Sequence, residues 1–289
     1  MLLSNKTQLQ NSIVELSPDH PLYPKEWLAL KKPPTCFALG NIALLRQRKF
    51  AVVGSRRTPV NALKLGEKIA EDLSSAFVIV TGTADGGDTA AIEGGLKTGK
   101  IICVLAGGFS QIPQGNLPLL ERVAKEGLLL SPHPFETEVR AFSYGYRNQL
   151  LATLCEGVLL LGAGEKSGAL MTVNDAKAQG KKVFALPYPP NSASGMGCNA
   201  VIKQGGFLVE NAEDVAVQFG IDLTNAKPQV SLSADEEKIY AALADMTEGH
   251  IDEISKKSSV PPFKARAVLS ALEIKGLAVS LGGNRYSVV

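Results

Sequence analysis

The chain has 289 residues, 45% of them hydrophobic and 20% charged, with 30 Lys and Arg set against 28 Asp and Glu. That length accommodates one large domain and a small one, and the composition excludes bulk disorder. A formal net charge of +2 excludes recognition through a strong overall field, so any binding of phosphate must come from a local cluster of cations and backbone N–H groups.

Residues 1–45 are polar and carry Pro18, Pro21, Pro24, Pro33 and Pro34, a pattern that predicts an arm or short cap on the main domain. The opening Met1-Leu2-Leu3-Ser4-Asn5-Lys6 lacks the charged-then-apolar order of an export signal, and no apolar run approaches the roughly 18 residues that span a bilayer. A cytoplasmic protein without a membrane partner is expected. Four scattered cysteines (Cys36, Cys103, Cys155 and Cys198) form no C-x-x-C pair and read as reduced, buried thiols.

Over 46–225 short apolar runs alternate with helical periodicity. Phe50-Ala51-Val52-Val53-Gly54 reads as a buried strand, and Leu63, Ile69, Ala70 and Leu73 follow at helical spacing. Phe77 to Gly82 and Ile101 to Leu105 repeat the strand pattern, each ahead of a helix, and Leu128 to Ser131 closes that unit. Gly157 to Gly162 precedes a helix from Ala169 to Gln179, and Lys182 to Pro187 is a further strand. Fully apolar strands interleaved with amphipathic helices define an α/β class: a mostly parallel sheet with helices on both faces. A linker is expected at 226–232, around Lys227-Pro228-Gln229. Beyond it, 233–289 reads as a winged helix: three helices, the first capped by Ser233 with Glu236, and a hairpin from Leu277 to Val288.

In an open α/β sheet ligands bind beyond the carboxyl ends of the strands. The first such loop, Gly54-Ser55-Arg56-Arg57-Thr58-Pro59, offers a glycine for close approach, two guanidinium groups and a helix N-terminus, all suited to phosphate. It is not G-x-G-x-x-G, so a dinucleotide is not implied. The second, from Thr81 to Ala91, brings Gly82, Gly86 and Gly87 to another helix start, with Asp88 read as its N-cap. A third glycine-rich loop runs from Gly107 to Asn116. Phe142-Ser143-Tyr144-Gly145-Tyr146-Arg147-Asn148-Gln149 sets aromatic rings beside a cation and an amide, which suits stacked bases or packing against the sheet. Ser167 and Gly168 sit at one more strand-to-helix turn. No nucleophile elbow, Walker lysine or acid–base pair is present, and His20, His133 and His250 lie apart. The chain reads as a binder without cofactor or metal, not as an enzyme.

Six pieces in order resemble the DNA-processing protein A (DprA, or Smf) family: Gly54 to Arg57, Thr81 to Ala91, Ile112 to Asn116, Tyr144 to Asn148, Ser167 to Thr172, and Gly197 to Ile202. The match runs from roughly Leu16 to the C-terminus. It implies a Rossmann-like fold that binds single-stranded DNA, forms a homodimer and hands the strand to the RecA recombinase in natural transformation. By the same resemblance Arg56 contacts phosphate. Tyr144 stands where the family has phenylalanine before the Arg147-Asn148 pair, Gly168 matches a Ser-Gly turn, and Asn199 matches a Gly-x-Asn site. Departures fall at Asp85 (often arginine), Gly87 (a branched aliphatic), Ile112 (tyrosine) and Gln149 (arginine). Two rival readings are a nucleotide enzyme of the LOG-like phosphoribohydrolase type, which lacks its catalytic glutamate here, and a nucleotide-sensing regulator. The presumed recognition helix, Phe263 to Glu273, has only two cations, which favours partner contact over duplex reading.

Overall fold

Runs such as Val78-Ile79-Val80 place alternate side chains on opposite faces of a sheet, and both faces here are covered, so the whole run is apolar. The computed structural model describes Leu3, residues 6–223 and residues 232–288. Chain contacts group it into two compact units, Met1–Lys227 and Pro228–Val289; positions 226–231 of the expected linker lie outside the described residues.

In the first unit the elements run α1 (Lys6–Ser12), β1 (Val14–Leu16), β2 (Cys36–Gly40), β3 (Lys49–Val53), α2 (Val60–Leu73), β4 (Val78–Thr81), α3 (Gly87–Leu96) and β5 (Ile101–Val104). There follow α4 (Leu117–Glu126), β6 (Leu128–Ser131), α5 (Ala141–Leu154), β7 (Gly157–Leu160), α6 (Ala169–Ala178), β8 (Lys182–Ala185), α7 (Met196–Lys203), β9 (Phe207–Leu208) and α8 (Ala212–Ala216). The strands form one sheet of order β1-β2-β6-β5-β4-β3-β7-β8-β9. It is parallel from β6 to β9, and β2 and β1 add antiparallel to the β6 edge. The fold is the mixed α/β, mostly parallel architecture expected.

Alternation sorts the core into two layers. Phe50, Val52, Ile79, Ile101, Leu129 and Leu159 pack with α2, α3, α4 and α8, whereas Ala51, Val53, Val80, Ile102, Leu130 and Leu160 pack with α5, α6 and α7. All four cysteines are free and buried, and burial raises their thiols above the ordinary range. Residues 14–40, expected as an arm or cap, supply two strands of the sheet. Trp27 anchors the intervening stretch by donating from Nε1 to the Leu150 carbonyl at 2.9 Å, and Glu26 pairs with the buried Lys49 at 2.7 Å.

The second unit contains α9 (Ala234–Met246), β10 (Glu248–His250), α10 (Ile251–Ser258), α11 (Pro262–Ile274), β11 (Ala278–Gly282) and β12 (Arg285–Val288). Ser233 and Glu236 form the expected capping box at the start of α9. Ile239, Leu243, Ile254, Leu269, Leu272 and Tyr286 close a separate core between the three helices and a sheet of order β10-β12-β11, a winged helix. No helix among the described residues is long and apolar enough to cross a membrane.

Candidate nucleic-acid interface

The chain passes from β3 outward through β4, β5 and β6, then returns through α5 to β7 on the other side of β3. Loops leaving β3 and β7 therefore diverge, and a crevice opens beyond their carboxyl ends. A cleft of about 1120 Å³ occupies that position, lined by the loops after β3, β4, β5 and β7, by α5 from Tyr144 to Leu151 and by the first turn of α6.

The loop after β3 is held as a tight turn. Ser55 N donates to the Gly162 carbonyl at 2.8 Å, Thr58 Oγ1 to the Ser55 carbonyl at 2.9 Å, and Arg57 N to Ser55 Oγ at 3.2 Å. Arg56 and Arg57 leave this turn exposed, and neither pairs with a carboxylate among the described residues. Gly86 and Gly87 serve that turn from the neighbouring loop. Gly86 has φ +84°, a conformation that favours glycine, and a side chain on Gly87 would collide with the Gly54 backbone. A branched aliphatic cannot stand at position 87 with these loops so close.

The cleft floor is polar and buried. Arg147 Nε donates to Asn148 Oδ1 at 2.9 Å and its Nη1 to the Val104 carbonyl at 3.2 Å; Asn148 Nδ2 donates to the Gly168 carbonyl at 3.2 Å. The Arg147 guanidinium and the Asp88 carboxylate converge on the space a Gly82 side chain would fill. Burial pushes the Asp88 carboxyl above its usual range, and the Arg147 charge and the Ala84 and Gly54 amides oppose that rise. Asp88 is thus not the N-cap of α3: Gly86 holds that position, and Asp88 lies inside the first turn, where Ala84 N donates to its Oδ2 at 3.2 Å. Asn116 ties the loop before α4 to this wall, donating from Nδ2 to the Thr83 carbonyl at 2.7 Å.

At the rim stand Tyr144, which is exposed, and Lys166, Ser167 and Gly168 ahead of α6, where the Ala169 amide donates to Ser167 Oγ at 3.4 Å. Of the residues singled out in the sequence, Gly54, Ser55, Arg56, Arg57, Gly82, Asn116, Tyr144, Arg147, Asn148, Ser167 and Gly168 line the cleft. Gly86, Gly87, Tyr146 and Asn199 do not. Tyr146 is half-buried, its ring 5.9 Å from that of His133. Asn199 commits its amide to Tyr188, accepting from the backbone N–H at 3.0 Å and donating to the carbonyl at 2.8 Å. That pins the segment carrying Ala193 and Ser194, cleft residues that sequence reasoning missed. Lys166 was also missed as a cation of the site; its place one residue before Ser167 was the available signal. The lining holds four cations, Arg56, Arg57, Arg147 and Lys166, and two carboxylates, Asp85 and Asp88, so it is cationic overall. No metal-ligating cluster occurs among the described residues.

An open α/β sheet with a cationic, glycine-walled cleft at its switch point, in a chain that also carries a winged helix, defines a class of two-domain α/β protein. The family model for DNA recombination-mediator protein A matches residues 15–220, and that for the DprA winged helix domain matches 224–284. The chain belongs to the DNA processing protein A (DprA/Smf) family. It is similar to DprA of Streptococcus pneumoniae R6, 35% identical over 189 residues, covering 65% of this chain and 67% of that one. DprA of Bacillus subtilis 168 is 34% identical over 223 residues, covering 74% of this chain and 73% of that one. The DprA relative of Mycobacterium tuberculosis H37Rv is 33% identical over 85% of this chain, which spans 66% of the relative's length. Among solved structures, S. pneumoniae DprA superposes with a TM-score of 0.68 at 31% identity, covering 74% of this chain and 78% of that one. DprA of Helicobacter pylori, described for its single-stranded DNA binding mode, superposes with a TM-score of 0.66 at 26% identity, covering 73% and 97%.

Proposed function

We propose that the cleft binds the sugar-phosphate backbone of single-stranded DNA, and that the chain works as a homodimer that protects incoming strands and delivers them to the RecA recombinase in natural transformation. The observation that carries the reading is the exposed Arg56-Arg57 pair, held on a tight turn at the switch point with no carboxylate paired to it among the described residues. Guanidinium groups and backbone N–H donors address phosphate oxygens whatever the base. Tyr144 at the rim offers a flat apolar surface on which a base can stack without sequence preference. The described binding mode of the H. pylori neighbour supports the same ligand, and delivery to RecA rests on family membership.

The reading is one of binding without turnover. Asp88, the buried carboxylate of the cleft floor, faces the Arg147 charge and accepts from the Ala84 amide, a role in holding the floor together. Fluorescence anisotropy with labelled single-stranded and duplex oligonucleotides at two salt concentrations tests it. A salt-sensitive preference for the single strand is expected, because neutralising each phosphate releases counterions. Equal or absent binding of both forms would overturn the reading, and RecA filament formation on strands preloaded with the chain tests delivery.

A further inference from the structure

The Asp85 carboxylate is at odds with a cleft that takes only a polyanion. It is exposed on the wall and lines the same space as Arg56 and Arg57. It makes no hydrogen bond or ion pair with another described residue, so the fold does not need its charge. To a passing strand that charge is a cost, since it repels every phosphate brought near it.

The loop that carries Asp85 is held on both sides. Asn116 Nδ2 donates to the Thr83 carbonyl at 2.7 Å, Ala84 N to Asp88 Oδ2 at 3.2 Å, and Gly87 N to the Ser55 carbonyl at 3.3 Å. A side chain on Gly86 would lie 2.9 Å from the Arg56 Cα, so the backbone next to Asp85 abuts the arginine turn. One rim of the cleft therefore offers an acceptor beside two cationic donors.

Topology gives that neighbourhood a chemical meaning. Strands β3 and β4 are parallel neighbours joined through α2, with the arginine turn after β3 and Asp85 after β4. In a nucleotide-binding βαβ unit the loop after the first strand takes phosphate, and an acid beyond the second accepts from a ribose hydroxyl. Here guanidiniums stand in for the glycine fingerprint at the phosphate.

The sugar can be specified further. Hydroxyls on adjacent ring carbons are two donors, which match the two oxygens of one carboxylate. Deoxyribose lacks one of them. Within a strand, the 3′ oxygen also carries the next phosphate, which would be brought against Asp85. A free ribonucleoside 5′-phosphate has both hydroxyls and a single phosphate group.

We infer that Asp85 reads ribose, and that the cleft takes a free ribonucleoside 5′-phosphate as a second ligand. Its phosphate lies on Arg56 and Arg57, and its 2′ and 3′ hydroxyls donate to Asp85. The assignment rests on the reading of the cleft as a phosphate site, and it makes the ribonucleotide a competitor of the strand for the same two arginines. Ile112 and Pro113 line the cleft on the loop that Asn116 ties to Thr83. They offer a base apolar contact without hydrogen-bond readout, so purine and pyrimidine are taken alike.

Isothermal titration of the full-length chain with adenosine and uridine 5′-monophosphates, each beside its 2′-deoxy counterpart, tests this. Each ribonucleotide should bind about tenfold tighter or more, the worth of one hydrogen bond to a charged group. D85A, a change at an exposed side chain, should bring each pair to within about twofold, and R56A/R57A should weaken all four. In anisotropy the ribonucleotides should displace a labelled single strand more readily than their deoxy counterparts, and D85A should hold that strand at least as tightly as the wild type. Equal binding of the two sugars, discrimination that survives in D85A, or no binding of any nucleotide would overturn the inference. So would an RNA oligonucleotide that outbinds the same DNA sequence through Asp85 while the mononucleotide pairs bind alike, which would assign the carboxylate to a strand. A wild type that binds the oligonucleotide and no nucleotide sinks this inference alone. One that binds neither sinks the phosphate reading of the cleft as well.

Discussion

Replacing Arg147 with leucine removes the positive charge that faces the buried Asp88 carboxylate. Opposite charges about 4 Å apart attract by about 4 kcal/mol at an effective dielectric of about 20, and stripping one partner from a buried pair costs about 3–5 kcal/mol. The bonds from the guanidinium to Asn148 and to the Val104 carbonyl go as well, so a destabilisation of about 4 kcal/mol is expected at neutral pH. The deficit depends on pH. Burial already raises the folded carboxyl, and without Arg147 it rises further. An acid whose folded pKa exceeds its unfolded value holds more protons when folded, so stability falls as pH climbs from about 4 toward the folded value. Each unit of separation is worth about 1.4 kcal/mol. R147L should accordingly lie nearest the wild type at about pH 4 and furthest above the folded value. Trp27 is the single tryptophan and is buried in the α/β unit, so urea unfolding followed by its fluorescence reports that unit. A deficit under about 1 kcal/mol at pH 8, or one of the same size at pH 4.5, refutes the reasoning. At pH 8 the R147L/D88N double variant should be more stable than R147L alone, since no lone charge remains to bury.

The exposed arginines should behave differently. R56A/R57A should leave urea unfolding unchanged but weaken single-stranded DNA binding, and make its salt dependence shallower by about 0.7 for each phosphate that is no longer neutralised; an unchanged slope in anisotropy would place the strand elsewhere. Asp85 is exposed on the cleft wall, where a carboxylate repels phosphate, so D85R should raise affinity about threefold to tenfold at low salt. In the winged helix, Glu236 is held at about 2, first by Lys275 and then by the Ser233 amide. Its folded value is depressed, so it adds stability above its ordinary value of 4.5, and that contribution disappears as pH falls toward about 2. The protection of α9 amides in the full chain, taken relative to their intrinsic exchange at each pH, should therefore fall on acidification, and E236Q should flatten the change over that window.

Phe50 to Val53 and Val158 to Leu161 could be read as buried strands because a strand covered on both faces has no polar positions. The loops that line the cleft followed from them, since switch-point geometry places ligands beyond strand ends. The two N-terminal strands escaped notice: Val14–Leu16 and Cys36–Gly40 are short, separated by prolines, and paired only with segments distant in sequence or with each other across that gap. Asp88 was misread for a related reason. Its position beside Gly86 and Gly87 matched a local capping pattern, whereas the charge it faces is Arg147, on a different helix.

Gly82 held the one local hint of that pairing. A side chain there would collide with both members, so a glycine closing β4 marks the space they share. The same logic separates the two kinds of arginine in the cleft. Arg147 is surrounded by acceptors from its own fold and shapes the floor, while Arg56 and Arg57 stand on a turn held by its own backbone and hydroxyl bonds, and their guanidiniums pair with no carboxylate among the described residues. In the sequence all three are alike, cations near phosphate loops. Only their partners distinguish the arginine that builds the site from those that remain available to a ligand, which is why R147L should be read first by unfolding and R56A/R57A by salt-dependent binding.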